Sequence, residues 1–188
     1  MEPKELLNFL HIAERLKCNT RHSCTSSRRP ESVAEHSWRL ALMAFLMKDQ
    51  IPGLDMDKVV KMCLIHDLGE AVTGDIPAFE KTDAHRRTEA GAVDTLAAAL
   101  PQPISGEFSA LFAEMEAMET PEARVLKALD RMEAVLQHNE APLDTWIPLE
   151  YELNRTYGTE NAAPFPFLKA LRELMRLDTE EKLSGNIS

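Results

Sequence analysis

The chain has 188 residues, enough for one domain with a full core. Its 21 Lys and Arg against 31 Asp and Glu leave a formal charge of −10. That balance excludes charge-driven binding to nucleic acid polymers or anionic membrane surfaces, while clusters such as Arg28-Arg29 leave room for a small anionic ligand. Cys18, Cys24 and Cys63 form no metal-like pair, and there is no signal-peptide pattern and no apolar run of transmembrane length. The expectation is a cytoplasmic protein without a membrane partner.

The period along the chain is helical. Leu6, Leu10 and Ala13 share one face of an opening helix, with Leu16 one step further. The polar stretch CNTRHSCTSSRRP, residues 18–30, reads as a long loop, of a length usually reserved for functional or disordered segments. Ser32 with Glu35 three residues later is a capping box and places a helix start near Val33. Asp55 caps a helix that continues through MDKVVKMCLIHDLGEAVTG to Gly74. Further helices are predicted in DAHRRTEAGAVDTLAAAL, ended by Pro101 and Pro103, and in SGEFSALFAEMEAMET. Thr120 and Pro121 open another, and FPFLKALRELMRL closes the core. Pro148 interrupts a weaker segment before it. No strand alternation is evident, so the predicted fold is all-α, an irregular multi-helix bundle in a single domain, residues 1–188, with a less diagnostic tail from about residue 145.

Four polar residues sit awkwardly in this pattern. His36 shares a stripe with Leu40, Met43 and Met47; a lone histidine there is more often a core side chain bonded to a carbonyl. His66 and Asp67 fall late in an apolar helix, where an acid opposes the macrodipole. Asp130 lies off the main stripe of its helix and, alone, reads as a solvated acid. Together, two imidazoles and two carboxylates form a donor set for a divalent cation such as Mn, Fe, Co, Ni, Zn or Mg. Such a cation lowers the pKa of bound water enough for attack on phosphorus near neutral pH.

The pattern of His36, the doublet His66-Asp67 and the distant Asp130 resembles the H…HD…D motif of the HD-domain metal-dependent phosphohydrolases. RPESVAEHSWRLALMAFLM, HDLGEAVTGDIPAFEK, HRRTEAGAV and TPEARVLKALDRMEA resemble the small-HD branch of bacterial 5′-deoxynucleotidases and the eukaryotic HD-domain-containing protein 2. The resemblance implies an HD-domain bundle that hydrolyses deoxyribonucleoside 5′-monophosphates as a homodimer. It implies one divalent metal on His36, His66, Asp67 and Asp130, with Asp67 and Glu70 in the chemistry. It makes Arg21 the phosphate-orienting residue and Asp75 a neighbour of the sugar. His22 stands where that branch commonly carries Trp, so substrate contact there is altered. An HD hydrolase of other nucleotide or phosphodiester specificity, and a metal-stabilised regulatory module, are the competing readings. Arg86 and Arg87 read as an exposed helix face; His85 and His138 read as surface or structural residues.

Overall fold

In the computed structural model, which describes residues 1–77 and 79–185, helices are joined by short connections and one hairpin. Helix α1 (Pro3–Ala13) has Pro in its first turn and a reciprocal cap between Glu2 and Glu5. The face it turns inward matches the predicted one only in part: Ala13 and the following Leu16 pack as expected, but Leu6 and Leu10 stay exposed and Phe9 and Ile12 pack in their place. Helical spacing allows either stripe, and Phe9 decides it by meeting the edge of Phe108, 6.2 Å between ring centroids.

The stretch predicted as a loop folds in part. β1 (Thr20–Cys24) pairs antiparallel with β2 (Pro30–Ser32), Thr20 opposite Ser32 and Cys24 opposite Pro30. Five residues face three, so β1 bulges between those pairs. Its strand signal is absent because the inward side chains are polar: Arg21 and Ser23 both meet Glu31, at 3.3 and 3.0 Å.

α2 (Val33–Leu46) starts where its capping box predicts, with Ser32 Oγ accepting from the Glu35 N–H and the Glu35 carboxylate accepting from the Ser32 N–H. α3 (Met56–Ile65) is capped by Asp55. The predicted single helix to Gly74 breaks after Ile65. The Leu68 and Glu70 N–H groups bond three residues back, to Ile65 and Asp67, and only then does the one-turn α4 (Glu70–Thr73) form. α5 (Asp83–Ala98) crosses directly over this turn: a Cβ on Gly69 would lie 3.0 Å from Glu89 Cγ and Val93 Cγ2. A side chain there would require Glu89 and Val93 to give way by a few tenths of an ångström. Gly74, at φ 80°, ends α4.

α6 (Ile104–Ala117) leads to α7 (Pro121–Glu140), with the Thr120 cap and Pro121 in its first turn as predicted. α8 (Glu150–Thr156) begins after Pro148, followed by α9 (Thr159–Ala162) and α10 (Pro166–Ser184). Leu40, Val59, Met62, Leu129, Met132 and Leu168 form the main core between α2, α3, α7 and α10. The methionines Met47, Met56 and Met62 fill it. A second cluster, including Val33, Leu68, Val93, Leu96 and Phe108, lies under α5 and α6. Ile65 touches both clusters, so the residues that follow it sit at their seam. No helix among the described residues is long and apolar enough to cross a membrane.

Candidate metal centre

His36, in the first turn of α2, is wholly buried, and its Nδ1 is bonded to the Glu133 carboxylate on α7. That carboxylate also accepts from Arg39 Nε at 2.6 Å. His66, at the break after α3, places Nδ1 3.0 Å from the Cys63 carbonyl. In both rings the acceptor on Nδ1 assigns a proton there, so Nε2 is the nitrogen whose lone pair a cation can take. Both Nε2 atoms are buried without a hydrogen-bond partner. His36 Nε2 lies 3.4 Å from Asp130 Oδ1 and 3.8 Å from Asp67 Oδ2, and His66 Nε2 lies 3.0 Å from Asp67 Oδ2. Two orphaned imidazole lone pairs converging on two carboxylates fit a borderline divalent cation. The four residues predicted as ligands are thus brought together, and the helix break is part of how His66 and Asp67 come to point at α2 and α7.

The charge balance agrees. Burial and Arg21 oppose a proton on His36, but Glu133 and Asp130 outweigh them and push its pKa up to about 10. Loading the site with a cation displaces that proton. Burial would raise Asp67, yet His66 and His36 hold it well below the carboxylate range. Burial is likewise outweighed at Asp130, by Lys127, His36 and His66. Both side chains keep some exposure, 16% and 20%, so the cluster opens to solvent on this side.

Arg21 enters from β1, its Nη1 3.8 Å from Asp67 Oδ2. Burial works against its charge, and Asp67, Glu133, Glu31 and Asp130 outweigh that, so its pKa is raised. Glu70, at the start of α4, is 3% exposed, and its Oε2 has no partner. Burial first, then Asp67 and Asp75, push its carboxyl up to about 9. Asp75 is also raised by burial, with Arg21 acting the other way. His22 faces elsewhere: its Nε2 is 2.9 Å from Glu150 Oε1, and its ring lies against Phe79 and His138. His85 serves the cap of α5, and Arg86 and Arg87 are exposed, as the sequence reading has it.

Several partners had no signal in the sequence. Glu133 orients His36, Arg39 holds Glu133, Glu31 holds Arg21, and Lys81 bridges Glu70, at 3.5 Å, and Glu89. Glu133 reads as an exposed acid because it follows Arg131 and Met132; only its place opposite α2 buries it completely. Glu133→Gln is expected to weaken cation binding by about 10–100-fold by loosening the His36 tautomer. A competition titration with a chromophoric chelator reads this, and unchanged affinity would deny Glu133 that role.

A helical bundle with one hairpin and such a donor set at its seam is the architecture of an all-α protein able to hold a metal. The model of the HD domain family matches residues 13–170. The human 5′-deoxynucleotidase HDDC2 is 37% identical over 142 residues, covering 73% of this chain and 68% of that protein. The fission yeast (Schizosaccharomyces pombe) 5′-deoxynucleotidase hdd1 is 30% identical and covers 70% of each chain. The crystal structure of a predicted metal-dependent phosphohydrolase from Magnetospirillum magnetotacticum superposes with a TM-score of 0.79 at 28% identity, covering 95% of this chain and 93% of that one. The chain belongs to the HD-domain family.

Proposed function

We propose that this protein is a metal-dependent 5′-deoxynucleotidase, hydrolysing deoxyribonucleoside 5′-monophosphates to deoxynucleoside and phosphate. One observation carries the reading: the orphaned Nε2 atoms of His36 and His66 face Asp67 and Asp130, with a permanent cation and a proton-bearing acid beside them. The named activity of the human and yeast relatives supports the substrate class. A divalent cation held by His36, His66, Asp67 and Asp130 would supply Lewis acidity, acidifying a water and drawing charge from a phosphate oxygen.

The chain's own side chains do the rest. Arg21, already drawn toward the cluster by Asp67 and Glu31, offers a forked donor to the non-bridging phosphate oxygens. Glu70, whose carboxyl pKa is raised by burial and neighbouring acids in the metal-free protein, is placed to give a proton to the 5′ oxygen as the P–O bond breaks and the water–phosphorus bond forms. The proton shed by the attacking water returns to Glu70 through solvent. Asp75, just beyond Gly74, faces the sugar. The test is turnover of paired deoxy- and ribonucleoside 5′-monophosphates, together with 3′-monophosphates and phosphodiesters. Each is measured after chelation and after adding back Mn, Co, Fe, Ni, Zn or Mg singly. Metal-dependent release of phosphate, fastest from the deoxy 5′-esters, is expected; full turnover in chelator, or none from any monophosphate, overturns the proposal.

A homodimer in the cytoplasm belongs to the same proposal. Trp38, Leu42, Phe45 and Leu46 lie within one arc of α2 and are 62%, 37%, 56% and 71% exposed. A contiguous apolar face of this kind supports association with a second copy. Sedimentation equilibrium is expected to give twice the chain mass; a single chain mass at micromolar concentration refutes the dimer. The three free thiols support a reducing compartment.

A further inference from the structure

Away from the metal centre, a second set of ligand atoms converges. His22 on β1, His138 in the last turn of α7 and Glu150 at the start of α8 come from three separate elements. His22 Nε2 and His138 Nε2 each lie 2.9 Å from the same atom, Glu150 Oε1, and all three donors are within 4.8 Å of one another. Glu150 is anchored by its other oxygen, which accepts from the Ile147 N–H at 2.7 Å. His138 is anchored by Nδ1, 2.8 Å from the Ala134 carbonyl, and the Trp146 ring stands edge-on against it. His138 and Glu150 are buried, at 7% and 3% exposure, while the His22 side chain keeps an open side.

A carbonyl only accepts, so Nδ1 of His138 carries the hydrogen and a neutral ring turns its Nε2 lone pair toward a carboxylate oxygen. Two acceptors then face each other in a buried site, and a proton or a cation between them must resolve the conflict. A cation also explains why a second imidazole arrives at the same oxygen. A histidine whose other N–H is spent on a backbone carbonyl is the usual arrangement of a metal-ligating ring. The spacing is near what it needs: bonds of about 2.0–2.1 Å at a tetrahedral angle set ligand atoms about 3.3 Å apart, so the two nitrogens would each draw back from Glu150 Oε1 by a few tenths of an ångström.

We propose that His22 Nε2, His138 Nε2 and Glu150 Oε1 form a second divalent-cation site of the zinc type, with water in the fourth position. Two histidines and one glutamate with an open position are a donor set that zinc accepts. Its effect is on position: by holding His22 it clamps the bulged strand that carries Arg21. The site shares no residue with the His36 cluster and does not rest on the proposed reaction.

Zinc content of the full chain tests this, measured by elemental analysis after chelation and dialysis against buffered Zn2+. His22→Ala changes a partly exposed ring on a hairpin, and circular dichroism checks that the fold is kept. It is expected to retain one Zn2+ fewer per chain than the unaltered protein, and Glu150→Gln likewise. Asp67→Ala is expected to keep the ion that His22→Ala loses. That comparison separates this site from the first: if the His36 cluster held no metal, the difference of one ion would remain. Equal zinc content in the unaltered chain and in a folded His22→Ala variant overturns the proposal.

Discussion

Asp67→Ala is expected to abolish hydrolysis, by about a thousandfold or more, while far-ultraviolet circular dichroism stays helical. The carboxylate stands 3.0 Å from His66 Nε2 and 3.8 Å from both His36 Nε2 and Arg21 Nη1. Its removal takes away a candidate ligand and one of the two charges that draw a cation into the cluster. It also frees Arg21 from the partner that aims it. Asp67 is not part of the apolar core, so stability should change far less than activity. Phosphate release and metal content, measured on the same preparation, decide the matter. Full activity in a variant stripped of metal would sink the mechanism.

Glu70→Gln is expected to lower turnover by about 10²–10⁴-fold while most of the metal is retained. Glu70 is the acid only while protonated, so the unaltered enzyme should lose rate on the alkaline side, below the pH of about 9 at which the metal-free carboxyl titrates because a cation beside Asp67 favours the carboxylate, and the variant should lack that limb. The same group has a stability signature in the metal-free protein. Its folded pKa lies above the ordinary 4.5, so the fold binds this proton more tightly than the unfolded chain does. Its contribution is present below about 4.5 and is lost as pH rises through about 9, and Glu70→Gln should flatten that slope. Turnover unchanged by the substitution would remove Glu70 from the chemistry. Loss of all metal would make it a ligand or a support instead.

The helix starts were legible residue by residue. Ser32 with Glu35, Asp55, and Thr120 with Pro121 act within one turn of the positions they define, and each cap is in place. The candidates His36, His66, Asp67 and Asp130 were legible too, through their resemblance to a known motif, and the structure brings the four side chains together. Where two apolar stripes share one helix, as in α1, periodicity alone could not choose; contact with Phe108 did.

What the amino-acid sequence determined by itself is therefore local: an all-α chain, the ends of its helices, and the residues able to hold a metal. The first two follow from hydrogen bonds and side-chain spacing over three or four residues, and the third from resemblance to a known motif. Tertiary structure decided the break after Ile65, the hairpin that aims Arg21, the burial of Glu133 against His36, and the meeting of His22 with His138 and Glu150. Most join elements distant in the chain or lie where a helix crosses over glycine, as α5 does at Gly69, and the hairpin, though local, turns polar side chains inward. Such contacts are set by how the elements pack together, and no short-range pattern records them.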